Sequence, residues 1–84
     1  MTQVNRYLKD KHFDRIDHAL GRPVDPMVKS YRNHFAADAG SDLAAMFRAS
    51  DHWREGRSDG DMAYFFVTDA GRAALRDHLG EVSA

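Results

Sequence analysis

Several residues in this 84-residue sequence have types and spacings that chemistry uses. Ser30, His34 and Asp38 recur at i, i+4 and i+8. On a helix they would align as nucleophile, base and orienting carboxylate of a hydrolase. Their surroundings argue otherwise, because Ala36-Ala37-Asp38-Ala39-Gly40 reads as loop and no nucleophile elbow or oxyanion site accompanies the trio. His12 and His18 are six apart, and His34, His52 and His78 are isolated, so none supplies the paired spacing of a metal site. The chain has no cysteine, hence no thiolate ligand, no disulfide framework and no Cys nucleophile. Asp59-Gly60-Asp61 carries too few oxygen donors for a calcium loop and reads as a turn. The expectation is no cofactor, no metal and no enzymatic activity.

Binding is better represented. Arg48, Trp53, Arg54 and Arg57 form an Arg–aromatic patch if the second helix lies beside the segment that follows it. Such a patch suits nucleic acid, through phosphate contacts and stacking, or a protein interface, where Trp and Arg dominate binding energy. Arg32 and His34 join it if their segment is extended with its polar side outward. The plainer alternative makes Trp53 a core anchor and leaves the arginines in water. Arg72 and Arg76 share one face of the last helix, and a solvated face beside Asp69 and Asp77 is the expected reading. His12 belongs at the edge of the core, with His18 and His78 on solvated helix faces.

Periodicity and caps define the helices and strands that carry these residues. Residues 3–20 form an amphipathic helix, with Leu8, His12, Ile16 and Leu20 on one stripe, widened by Phe13 and Ala19. Arg6, Lys9, Asp10, Asp14, Asp17 and His18 fall on its polar side. Gly21 stops it, and Pro23 and Pro26 hold Arg22 and Asp25 extended in a linker over residues 21–30. Tyr31-Arg32-Asn33-His34-Phe35 is either a short extended segment or one helical turn, and residues 36–40 are loop. A helix begins at Ser41 or Asp42 and runs to Ala49, with Leu43, Met46 and Phe47 as its apolar stripe. A hairpin follows, with strands near 52–54 and 62–67 and a polar loop over 55–61. Thr68 caps the last helix, residues 69–79, which Gly80 ends. Gly71 costs about 1 kcal/mol inside a helix and so marks a close approach to another element. The predicted core is Leu8, Ile16, Leu20, Phe35, Leu43, Met46, Phe47, Phe66, Leu75 and Leu79, with Tyr31 beside it.

The bulk numbers fit one small α+β domain over residues 1–84. Hydrophobic residues make up 43%, enough for a small core, and a net charge of -1 argues against nucleic-acid binding by bulk charge. No apolar run reaches membrane-spanning length and the N-terminus lacks a signal-peptide core, so a cytoplasmic protein with no membrane partner is expected. Arg outnumbers Lys nine to three, which a GC-rich source genome accounts for.

The order of helix, extended segment, helix, hairpin and helix is similar to a winged-helix arrangement, with residues 21–40 required to supply its middle helix. Tyr31-Arg32-Asn33-His34-Phe35, Gly40-Ser41-Asp42 with its Ala-rich helix, and Val67-Thr68-Asp69-Ala70-Gly71-Arg72-Ala73-Ala74-Leu75 together resemble small proteins encoded by bacteriophages and prophages. The resemblance covers about residues 16–79, and the chain departs from it at Ser50-Asp51-His52-Trp53-Arg54-Glu55. It implies action on host machinery, with anti-CRISPR inhibition as the concrete version. A monomer or homodimer would bind a Cas effector or Cascade subunit through Arg32, His34, Arg48, Trp53, Arg54 and Arg57, and block target-DNA binding. The alternative is a winged-helix-like transcriptional regulator that binds duplex DNA.

Overall fold

The computed structural model describes residues 6–28 and 32–83. The elements run α1 (Lys11–Ala19), β1 (Phe35–Asp38), α2 (Asp42–Ala49), β2 (Trp53–Asp59), β3 (Met62–Val67) and α3 (Asp69–Ser83). This is the expected α+β fold, but α1 starts later than residue 3. Residues 3–5 lie outside the described residues. From residue 6 the chain is irregular until the Asp10 carboxylate accepts hydrogen bonds from the backbone N–H groups of His12 and Phe13 and caps the helix. Gly21 ends it as expected, at φ 77°, in a Schellman motif: Gly21 N–H donates to the His18 carbonyl and Arg22 N–H to that of Asp17. Arg22 is therefore not extended. It sits at φ 51°, and its guanidinium turns back to Asp14 at 2.8 Å and Asp17 at 3.2 Å.

The three strands form an antiparallel sheet in the order β1-β3-β2. β1 starts at Phe35, which settles its segment's end as extended rather than helical, and takes in residues 36–38, expected to be loop. Its Ala-Ala run has little intrinsic strand preference. It is held by the ladder to β3, in register from Phe35↔Phe65 to Asp38↔Met62. β2 is also longer than expected and leaves only Gly60 and Asp61 as hairpin loop. Gly60 has φ 62° while Asp61 has no positive φ, the pattern of a type II′ turn that matches strand twist. One irregularity interrupts β2: between Glu55↔Phe65 and Ser58↔Ala63, Gly56 and Arg57 together face Tyr64 as a bulge.

All three helices pack on one face of the sheet. Ile16, Leu20, Ala44, Phe47 and Leu75 meet Ala37, Trp53, Ala63, Phe65 and Val67 in the buried cluster, and Leu8, Phe35, Leu43 and Leu79 pack around it. Two predicted core members are elsewhere. Met46 is 52% exposed, because Ala44 and Phe47 form the inward stripe of α2. Phe66 points to the other face, because strand alternation turns Ala63, Phe65 and Val67 inward. Of the two readings of Trp53 the core anchor holds, and two groups expected in water, Asp17 and Arg72, are buried as well. Trp53 stacks on Phe47 at 4.1 Å between centroids. Asp17 is fully buried and accepts hydrogen bonds from Arg6 and Arg22. Arg72 does not share a solvated face with Arg76: it is 8% exposed, and Nη1 donates to the carbonyls of Pro26 and Val28. The linker is thereby tied to α3.

At the start of α3, Thr68 Oγ1 accepts from Gly71 N–H and donates to the Asp51 carbonyl. The close approach expected at Gly71 is to the His52 carbonyl. Gly80 does not end α3, which runs on to Ser83. The winged-helix likeness is incomplete. One helix, α2, lies between β1 and β2, and residues 21–28 and 32–40 form turns, irregular chain and β1 in place of a middle helix. Among the described residues no helix is long and apolar enough to cross a membrane.

Candidate functional site

Strand alternation leaves Met62, Tyr64 and Phe66 of the central strand on the face opposite the helices, each partly exposed. Arg54 is the register partner of Phe66, and its guanidinium carbon lies 5.3 Å from the Phe66 ring centroid. The bulge presents Arg57 beside Tyr64. Gly56 leaves room for the Phe66 ring there, because a Cβ at that position would meet the ring edge and push it aside. The irregular segment before β1 is held by Asn33. Its side-chain amide donates to the Val67 carbonyl at 3.1 Å and its oxygen accepts from Val67 N–H at 2.8 Å, so one side chain replaces a step of strand pairing.

This geometry encloses an open cavity of about 340 Å³ lined by Asn33, His34, Arg57, Tyr64 and Phe66. A second, of about 260 Å³, is lined by His18, Arg32, His34, Phe35 and Ala36. His34 belongs to both, so the two adjoin. No acidic side chain lines either one among the described residues. Arg32 Nη2 lies 3.2 Å from His18 Nε2; the guanidinium is a permanent donor, so the imidazole accepts. Burial holds the His18 imidazolium below its ordinary pKa, and the charges of Arg32 and Arg22 add to the effect.

The predicted patch is therefore divided. Arg32, His34, Arg54 and Arg57 lie at or beside the open face. Trp53 does not: it pairs with Val67 on the inward side of the sheet and is 5% exposed, which removes it from any partner surface. Arg48 is tied to Glu55 by bonds of 3.0 and 2.9 Å and donates to the Ala39 carbonyl at 2.9 Å. The hydrogen bond from Arg48 is the first cause that holds the Glu55 carboxyl below its usual range. The rest of the exposed surface of α2 is Asp42, Ala45, Met46 and Ala49, which offers no donor for the base edges of a duplex. Tyr64, Phe66, Asn33 and His18 were missed in the sequence. The alternation of residues 62–67 alone carries a signal for the first two.

The hydrolase trio does not align. His34 precedes β1 and Asp38 ends it, so the chain between them is extended and their Cα atoms are about 13 Å apart by strand rise. Ser30, like Tyr31, lies outside the described residues. Among the described residues no group of three or more His, Cys, Asp or Glu side chains is placed to hold a metal ion. His12 is at the core edge, with Nε2 2.9 Å from His52 Nδ1, and His78 is not simply solvated but stacks on Phe13 at 4.2 Å. None of the protein-family models, curated proteins or solved structures compared with the chain matches it.

Proposed function

We propose that the protein is a non-catalytic binding module of phage type that inhibits a host-defence complex, in its concrete form a Cas effector or Cascade, by covering the surface where target DNA enters. The observation that carries this reading is the open sheet face, where Tyr64, Phe66, Arg54, Arg57 and His34 gather with no helix packed on them among the described residues. A domain of this size has few large apolar side chains to spare from its core. Two aromatic rings on the outer face beside arginines form the kind of surface that carries binding energy. The phage-type motifs around Arg32, Asn33 and His34, and from Val67 to Leu75, support the inhibitory role and the choice of partner. The contact residues are then Arg32, His34, Arg54 and Arg57, joined by Tyr64 and Phe66, whereas Arg48 and Trp53 hold the fold.

The test is expression of the tagged protein in a CRISPR-bearing host, with recovery of bound subunits and a plasmid-interference assay. The expected result is recovery of a Cas component and loss of interference, both weakened by Arg57→Ala. If no Cas component is recovered and interference stays intact, the proposal is wrong.

A further inference from the structure

We infer that the open sheet face takes a single-stranded nucleic-acid segment, with bases stacked on Phe66 and Tyr64 and the adjoining phosphates held by Arg57 and by Arg32 with His18. This rests on reading the open face as the working surface, and it names what that surface meets within the partner complex.

The argument begins with ring geometry. The Phe66 ring turns its Cε2 edge to Gly56 and carries the Arg54 guanidinium over one face, and Tyr64 is two residues before it on the same side of the central strand. Two aromatic side chains at i and i+2 on an uncovered strand make a platform for flat partners. Every base has such a face, but only an unpaired strand can offer it, because duplex bases are stacked on one another. Charge supplies the second argument. Arg54 stands over Phe66, Arg57 lines the cavity that contains both rings, and Arg32 and His18 line the adjoining one. With no acidic side chain lining either cavity among the described residues, this strip is basic although the chain carries a net charge of -1. Of the acids on adjoining elements, Glu55 binds Arg48 and Asp14 and Asp17 bind Arg22, while Asp38 and Asp59, the register partners of Met62, lie at the other end of the central strand from Phe66. The rings on one cavity and the donors on the next, joined at His34, match the alternation of base and phosphate along a strand.

The experiment is fluorescence anisotropy of the full chain with labelled 12-nucleotide single-stranded DNA, single-stranded RNA and the matching DNA duplex. Single strands should bind at least about tenfold more tightly than the duplex, and binding of either DNA or RNA supports the inference. The two phosphate-holding arginines give a salt slope of about -1.4, so affinity should fall about 7-fold between 50 and 200 mM salt. Phe66→Leu keeps an apolar side chain over Gly56 and removes the stacking face, so binding should weaken roughly 5- to 150-fold without loss of thermal stability. Arg57→Ala should lower the slope by about 0.7, whereas Arg76→Ala, which removes the same charge from α3, should change nothing. Absence of single-strand binding at 50 mM salt overturns the inference, as does a duplex bound equally well or an equal effect of Arg57→Ala and Arg76→Ala. Recovery of a Cas complex that Phe66→Leu and nuclease treatment leave unchanged also overturns it, while the inhibitory role stands. Oligonucleotide binding with intact interference does the reverse.

Discussion

The same substitution at two positions of α3 should move stability in opposite directions. Gly71→Ala and Gly80→Ala each gain about 1 kcal/mol of helix propensity at most. At Gly80 a new Cβ meets nothing within 4 Å, so that gain is realised, reduced by fraying near the helix end. At Gly71 it would lie 2.5 Å from the His52 carbonyl oxygen and 2.8 Å from Val67 Cγ1. Neither neighbour yields easily. The carbonyl accepts a hydrogen bond from Thr68 N–H at 2.9 Å and leads into Trp53, which is stacked in the core. Val67 is β-branched, hence stiff, and 5% exposed. Overpacking costs about 1–3 kcal/mol, and the weakened Thr68–His52 bond adds about 1. Less the propensity gain, Gly71→Ala loses about 1–3 kcal/mol. In a domain of this length each kcal/mol moves Tm by about 4–8 °C, so Tm should fall by about 5–20 °C. Gly80→Ala should raise it by up to about 5 °C. Circular-dichroism melts of the two variants beside the parent decide the matter. A Gly71→Ala protein as stable as the parent, or shifts of the same sign in both variants, would contradict the close approach at Gly71.

Other perturbations follow from the same contacts. Asn33→Ala strips Val67 of partners for its N–H and carbonyl, and the urea midpoint should fall by the equivalent of about 2–3 kcal/mol; an unchanged midpoint counts against the clamp. Asp17→Ala leaves Arg22 and Arg6 without their buried acceptor and should cost about 3 kcal/mol by urea unfolding, the low end because Arg6 keeps some access to water. Gly56→Ala should push the Phe66 ring aside and weaken oligonucleotide binding while shifting Tm by less than about 5 °C, since a partly exposed ring has room to move; full binding would count against the platform. Stability should also depend on pH. Burial, followed by the charge of His52, lowers His12, and burial followed by Arg32 lowers His18, both from an ordinary value of 6.5. The unfolded chain therefore takes up protons first, so stability is lost as pH falls through 6.5 towards the folded values. Asp14, lowered first by its hydrogen bond from Arg22, adds a second loss below its ordinary 3.8. Melts between pH 8 and 5 should show the first loss, smaller in His12→Gln; a Tm constant over that range contradicts it.

What the sequence determined by itself is what local chemistry encodes. The bounds of α2 and β3 follow from Ser41 as cap and from the Tyr-Phe-Phe-Val run, the stop at Gly21 from its freedom at positive φ, and the start of α3 from Thr68. The need for glycine at position 71 was also legible, though not that its neighbour is the His52 carbonyl. The tertiary structure decided the rest, because the deciding partners are distant in the chain. Residues 36–38 become strand through the ladder to β3, which a window of alanines does not reveal. Arg72 leaves solvent for two carbonyls 46 and 44 residues away, and Asp17 for guanidinium groups beyond its own helix. The candidate site was half legible: the arginines stood out by type, but which of them act together depends on strand parity. Register against β3 sends Trp53 inward with Val67 and Arg54 outward with Phe66, and a shift of one residue would exchange them. Side-chain type records what a residue can do, whereas pairing with a distant strand sets the face on which it does it.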